Sequence, residues 1–329
     1  MKVSGYISRG VMAVMVLTML TACKRMPLYD LEKTLELELD LDLTLDLKID
    51  VDVKVDIEVE TSIKMPEHMK VGFYTEETDN LRHTEYVGPT GGTISTPTGR
   101  YHMLAYTFGT EYVQIRGEGS LNTIEAFTSD ITATKSGALR GFTRAGQEEP
   151  EGLIIYTPDH LLVARETVEI PDLSTESRHI VIETEAHTIV ESYAFEVKNV
   201  TGVQYVESVE AFVTNQARSS FFGRGTVSQE PATLWFPVGI DRQKGCFFTV
   251  FNTFGKLPGE SRSYLHILIR DTDGQEYRIT EDITDQFTDP DHHIVIDEEV
   301  VIPEPASHGG GIDPSVDPWD EENTDVPIG

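Results

Sequence analysis

Leu35-Glu36-Leu37-Glu38-Leu39-Asp40-Leu41-Asp42-Leu43 opens a run in which apolar and charged residues alternate almost without a break. Leu45, Leu47, Ile49, Val51, Val53, Val55, Ile57 and Val59 continue the apolar set, and Asp46, Lys48, Asp50, Asp52, Lys54, Asp56, Glu58 and Glu60 the charged one. A period of two puts each set on its own face of an extended chain, whereas a helix would scatter both. The folded part of the chain therefore starts with β structure. Its length is unusual. Thirty extended residues reach roughly 100 Å, against about 20 Å for an ordinary strand, and no glycine or proline turns the run. Ile49 to Val59, rich in β-branched residues, suits the first strand of a sandwich. The leucine-rich half reads as an extra edge strand, as a stalk, or as the start of one bent strand that crosses two sheets. As an edge it would offer unpaired backbone to another chain. Leu35, Leu37, Leu39, Leu41, Leu43, Leu45 and Leu47 are thus the candidate strand-exchange residues. The Asp-x-Asp spacing does not converge the six or more oxygens that calcium needs.

Upstream of this run, Lys2 and Arg9 precede an apolar stretch from Val11 to Leu20, which ends in Leu20-Thr21-Ala22-Cys23. A basic start, a short apolar core and small residues before a cleavage point form a secretory signal. The stretch is too short to span a bilayer as a helix. Leu-Thr-Ala-Cys resembles a bacterial lipobox. The resemblance implies that residues 1–22 are removed and that Cys23 carries lipid, anchoring the chain by acyl groups. Lys24 after the cysteine points to the outer membrane, with surface exposure left open.

The 329 residues carry 56 acidic and 26 basic side chains, a net charge of −30. Phosphate backbones and anionic membrane surfaces would be repelled by such a chain, which excludes nucleic acid as a partner class. Hydrophobic content of 39% is enough for packed cores. Of the two cysteines, Cys246 is alone if Cys23 is lipidated; in Gly245-Cys246-Phe247-Phe248 it reads as a small buried apolar group in a strand.

Downstream, short alternating runs are separated by turn chemistry. Met69 to Tyr74, Thr93 to Thr96, Arg100 to Tyr106, Tyr112 to Ile115 and Ile124 to Thr128 read as strands, with Gly88-Pro89-Thr90-Gly91-Gly92 as a turn. Residues 132–152 read as a linker, with a domain boundary near 150. Beyond it, Glu166 to Ile170, His179 to Thr184, Tyr193 to Val197, Val206 to Val213, Leu234 to Val238, Cys246 to Phe251 and Tyr264 to Ile269 follow. Asp271-Thr272-Asp273-Gly274 then turns into Glu276 to Ile279 as a hairpin. No convincing amphipathic helix interrupts them, so the chain is all-β.

Met65-Pro66-Glu67-His68-Met69-Lys70-Val71-x-Phe73-Tyr74, then Gly91-Gly92-Thr93-Ile94, then Pro97-x-Gly99-Arg100-Tyr101-x-x-Leu104-Ala105-Tyr106 resemble a family of Bacteroidales lipoproteins. Tyr156-Thr157-Pro158-Asp159, Thr253-Phe254-Gly255 and a tail ending in Val316-Asp317-Pro318-Trp319 extend the likeness over most of the chain. Thr107-Phe108-Gly109-Thr110 departs from it, standing where the family has an asparagine. That family is similar to the anchor and accessory subunits of fimbrillin-type pili. The resemblance implies two tandem transthyretin-like, Greek-key β-sandwich domains behind a lipoprotein signal peptide. The expected divisions are 1–22 for the signal, 23–48 for a tether and acidic strand, 49–150 and 151–303 for the sandwiches, and 304–329 for an acidic tail. Trp319 is expected to pack on the second sandwich.

Catalytic spacing is not found. Gly259-Glu260-Ser261-Arg262-Ser263 lacks the second glycine of a nucleophile elbow. Gly223-Arg224-Gly225 begins a dinucleotide motif that Ser228 ends. His292 and His293, adjacent in an expected strand, point to opposite faces and chelate poorly as a pair. No cofactor, metal or catalytic residue is assigned. The expected function is a non-enzymatic, lipid-anchored envelope protein, a fimbria-related anchor or accessory subunit that pairs β-strands with other envelope subunits. The alternative is a surface lipoprotein that binds glycan or another ligand, with Tyr112, Trp235 or Trp319 stacking on sugar.

Overall fold

The computed structural model describes residues 34–43, 67–139, 142, 153–171, 180–259 and 262–305. The signal region, Cys23, Leu45, Leu47, the expected strand Ile49 to Val59, and the tail with Trp319 lie outside the described residues. In chain order the first strands are β1 (Thr34–Leu43), β2 (Met69–Thr75), β3 (Leu81–Val87), β4 (Gly91–Pro97), β5 (Gly99–Thr107), β6 (Val113–Arg116) and β7 (Glu125–Thr128). A short helix, Thr132–Leu139, is followed by β8 (Leu153–Tyr156), β9 (Leu162–Ile170), β10 (Ile180–Thr188), β11 (Glu191–Val197), β12 (Val200–Thr201), β13 (Val206–Ala217), β14 (Ser219–Phe221) and β15 (Thr226–Val227). The remainder are β16 (Pro231–Pro237), β17 (Gly239–Asp241), β18 (Cys246–Thr253), β19 (Tyr264–Asp271), β20 (Glu276–Asp282), β21 (His293–Ile296) and β22 (Val300–Val301). The all-β class follows from the alternating runs.

A seven-stranded sheet runs β3-β2-β5-β9-β10-β1-β4. Its end strands, β3 and β4, are joined by the tight turn from Gly88 to Gly91, so the sheet curls until its ends meet. The corner is the short β9–β10 contact, which pairs only His187 with Val163 and Thr188 with Leu162. Met69, Val71, Phe73, Tyr101, Met103, Ala105, Ala164, Ile94 and Ile182 fill the interior. Alternation turns Tyr74, Leu104, Tyr106 and Val163 outward, and a sheet ordered β15-β14-β7-β6 covers them with Ala126 and Phe222. Tyr106 and Phe222 meet edge to face at 5.2 Å.

The second half stacks a five-stranded sheet, β20-β19-β13-β16-β8, on a four-stranded one, β17-β18-β11-β21. Phe195, Phe247 and Phe251 from one face Val209, Leu234, Phe236 and Ile267 from the other. Phe236 and Phe251 stack at 4.6 Å. As the sequence suggests, β19 and β20 form a hairpin: Asp271 Oδ1 accepts from the Asp273 and Gln275 amides, and Gly274 takes φ 80°. Cys246 is buried in β18, and burial pushes its thiol pKa up, aided by Asp241 and Glu196.

Two expectations need correction. The sheets do not part near residue 150. β8 belongs to the second half, yet β9 pairs along β5, from Gly99↔Ile170 to Tyr106↔Val163, and β10 joins the same first sheet. β14 also returns, pairing Ser219 with Phe127. Alternation fixes which face a strand buries but not which neighbour it chooses, and the chain crosses between the halves repeatedly. The second correction is the helix within 132–152. Asp130 Oδ1 caps it by accepting the Thr132 amide at 2.7 Å, and Leu139 docks with Ile131, Phe212 and Leu268 on the outer face of the five-stranded sheet. Thr132, Thr134 and Gly137 are weak helix formers, so tertiary packing decides the matter.

Candidate strand-pairing site

β1 is the element on which the sequence-level function rests. It lies between β10 and β4 and is the link between them in the sheet. On one side it runs parallel to β10, from Leu37↔Ile180 to Leu43↔Ala186. On the other it runs antiparallel to β4, from Thr34↔Pro97 to Asp40↔Gly91. Leu35, Leu37, Leu39, Leu41 and Leu43 stand at alternate positions of this strand, while Leu45 and Leu47 lie outside the described residues. Of the readings the sequence left open, β1 is therefore not an unpaired edge. β4 and β10 each carry a core face and have an open ladder facing the other, and a strand of matching period satisfies both.

The register explains the fit. Leu35, Leu37 and Leu39 fall opposite Thr96, Ile94 and Gly92 of β4. Leu39, Leu41 and Leu43 fall opposite Ile182, Thr184 and Ala186 of β10. Of these neighbours, Thr96, Ile94, Ile182, Thr184 and Ala186 are buried. The acidic positions also align: Asp40 with Glu183 and Asp42 with Glu185. Like charges directly opposed across a ladder weaken it. The slot is thus held by backbone pairing on both sides, with acidic positions in register across one of them. The sequence did not single out β4 and β10 as its walls; the alternation from His179 to Thr184 was the signal that one of them buries a face.

The aromatic candidates come together only in part. Tyr112 packs on Tyr156 at 5.0 Å, and Tyr156 meets Trp235 edge to face at 5.7 Å. Lys135 Nζ covers the Trp235 ring at 4.0 Å, and Glu210 accepts from both Lys135 and the indole N–H. Trp235 is consequently a packing residue. His292 and His293 separate, but not as neighbours in one strand: His292 precedes β21 and takes φ 48°. His292 stacks on Tyr193 at 4.5 Å, and His293 lies 3.8 Å from Glu196. Gly223 sits in a turn where a Cβ would meet the Leu121 carbonyl at 2.1 Å, a packing reason for that glycine rather than a phosphate cradle.

One pair resembles catalytic machinery and is instead structural. Ser192 Oγ lies 3.3 Å from His160 Nε2, but the hydroxyl donates to Asn252 Oδ1 at 2.8 Å. His160 Nδ1 faces Thr188 Oγ1, not a carboxylate, and Asn252 donates to the Pro158 carbonyl. Burial holds the His160 pKa below its ordinary value despite Asp159. The network ties the loop before β9, the end of β10 and strands β11 and β18 together where the chain crosses between halves.

The described residues form curled and stacked β-sheets with the strand β1 inserted between two others. Residues 41–237 match the family described as "Domain of unknown function (DUF5119)", and the chain belongs to that family. A relative named "Putative fimbrium anchoring subunit Fim4B", from Bacteroides ovatus, is 26% identical over 305 residues, covering 80% of this chain and 86% of its own length. A crystal structure of a "putative adhesin" from Bacteroides ovatus superposes with a TM-score of 0.57 at 20% identity, covering 87% of this chain and 98% of that one. The fimbrial anchor protein Mfa2 from Porphyromonas gingivalis aligns with a TM-score of 0.44 at 12% identity, over 81% of this chain and 90% of that one.

Proposed function

We propose that this chain is a lipid-anchored subunit of the outer membrane that serves fimbriae as an anchor or accessory component, in a structural rather than catalytic role. In this reading residues 1–22 are a cleaved signal, Cys23 carries the lipid, and other envelope subunits bind by strand addition. The observation that carries the proposal is the position of β1, paired on both sides and contributed from the N-terminal end of the chain. A strand of the same period from another subunit would meet the same two ladders. The relative named as a fimbrium anchoring subunit supports the class of role.

The test compares the chain starting at Lys24 with one that also lacks residues 31–47. A synthetic 31–47 peptide is expected to bind the shortened chain and restore its stability, and the intact chain is expected to exchange β1 for the same peptide slowly. Equal stability of both chains and no peptide binding would refute strand pairing. Lipidation is read separately, by mass spectrometry of the N-terminal peptide from membranes and from a Cys23→Ser variant.

A further inference from the structure

A second feature lies on the outer face of the first sheet, away from the β1 slot, and does not depend on the strand-pairing reading. Across this face Lys70 of β2 stands in register with Tyr86 of β3 on one side and Tyr106 of β5 on the other. The loop after β5 rises beside the row, and the two enclose a cleft of about 330 Å³. Its floor is an ion pair, with Lys70 Nζ 2.7 Å from Glu118 Oε1. Tyr106 donates to the same oxygen at 2.6 Å, and the Tyr74 hydroxyl donates to the Glu118 carbonyl at 3.1 Å. Glu118 is therefore held at a fixed position. One wall is aromatic: Tyr86 and Phe108 meet edge to face at 5.6 Å and are 58% and 42% exposed. Gln114 also lines the cleft.

These groups select a ligand chemistry. Two large rings exposed together are costly unless they meet something, and their partner must reach a charged floor. Glu118 Oε1 is taken by the chain, and Oε2 faces no hydrogen-bond donor of the described residues. Lys70 spends one of its three N–H donors on Glu118. An acceptor and a donor thus sit side by side on one rigid pair. An anion is opposed by Glu118 and by the net charge of −30, and a cation is opposed by Lys70. A neutral ligand with adjacent hydroxyls satisfies both groups, one hydroxyl donating to the carboxylate and the next accepting from the ammonium. Its C–H face would lie against the electron-rich ring faces. The geometry points to the cleft formed by Lys70, Glu118, Tyr86 and Phe108 as a binding site for a neutral pyranose ring. The cleft volume falls at the lower end of small-ligand sites, which matches one sugar unit rather than a long oligosaccharide.

The test uses the chain starting at Lys24 and four probes, the methyl glycosides of glucose, galactose, mannose and N-acetylglucosamine. Saturation-transfer NMR and titration would read binding. At least one glycoside is expected to receive saturation at its ring C–H protons, with a Kd of the order of 1 mM. Phe108→Ala and Glu118→Gln are each expected to weaken it about tenfold, the effect of losing one good contact. Phe108 is half-exposed, so its removal is expected to leave the thermal midpoint unchanged, and Val301→Ser, a distant exposed apolar residue, serves as control. A 2-, 3- or 4-deoxy form of the bound glycoside then identifies the hydroxyl pair. Absence of transfer to all four probes overturns the assignment. So does binding that Phe108→Ala and Glu118→Gln leave unchanged.

Discussion

Acidification from pH 7 to pH 4 is expected to remove about 3 kcal/mol of stability through one side chain, His266. It stands on β19, 3% exposed, with Nδ1 2.9 Å from Thr280 Oγ1 and its ring 4.8 Å from Phe142. Burial lowers its pKa from 6.5 to about 4. The unfolded chain, with an ordinary imidazole, takes up the proton first as pH falls. Stability from the neutral ring is therefore complete above 6.5 and declines from there to about 4. The interval between those values, at 1.36 kcal/mol per pH unit, gives the figure of about 3 kcal/mol. Carboxylates that titrate in the same range also contribute, so the measurement is a comparison. Unfolding free energies of the wild type and of His266→Gln would be obtained by chemical denaturation across the range. The variant starts less stable, and the gap is expected to close by about 3 kcal/mol at the acid end. Two curves that stay parallel to within about 0.5 kcal/mol would refute a neutral, desolvated His266.

Other outcomes follow from features already described. Because Asp40 and Asp42 oppose Glu183 and Glu185, added salt is expected to tighten β1, slowing hydrogen exchange of the β10 amides between about 20 and 300 mM. Exchange that is unchanged or faster would argue against this register. Glu125 is buried and accepts from Arg116 Nε and Ser219 Oγ, each at 2.6 Å, so Glu125→Ala is expected to cost about 1–3 kcal/mol in urea denaturation. The Arg116 charge left behind is half-exposed, which keeps the loss from being larger. Gly202 takes φ 81°, and a Cβ there would sit 1.9 Å from the Ile302 carbonyl, so Gly202→Ala is expected to lower the thermal midpoint by separating β12 from β22.

Much of the fold was legible because the strands announce themselves. Val206 to Val213 and Tyr264 to Ile269 alternate cleanly, and Asp271-Thr272-Asp273-Gly274 supplies its own turn chemistry. Partner choice was not legible. Nothing in Glu166 to Ile170 says that it will pair with Gly99 to Met103 rather than with a strand beyond it, because period two encodes a face and not a neighbour. The helix at Thr132–Leu139 was hidden by poor intrinsic propensity, with its stability lent by Phe212 and Leu268. The long run from Leu35 to Val59 posed a different difficulty: a repeat without punctuation gives no sign of which of its residues pair with β4 and β10. The sugar cleft was invisible for a third reason. Glu118 comes from a turn, and its role depends on a row formed across β3, β2 and β5, whose order in the sheet is not their order in the chain.

The placement of β1 also sets how the chain bears load. A pull on its N-terminal end acts along the axis of β1, so the ladders to β10 and β4 are strained in shear and their bonds share the force. A hairpin pulled from its free end would instead peel one bond at a time. From β10 the chain continues directly into β11 of the second half, which carries the tension across the molecule instead of leaving it in the first sheet. A sheet closed by such a strand yields late and all at once, the behaviour of a rivet rather than of a zip.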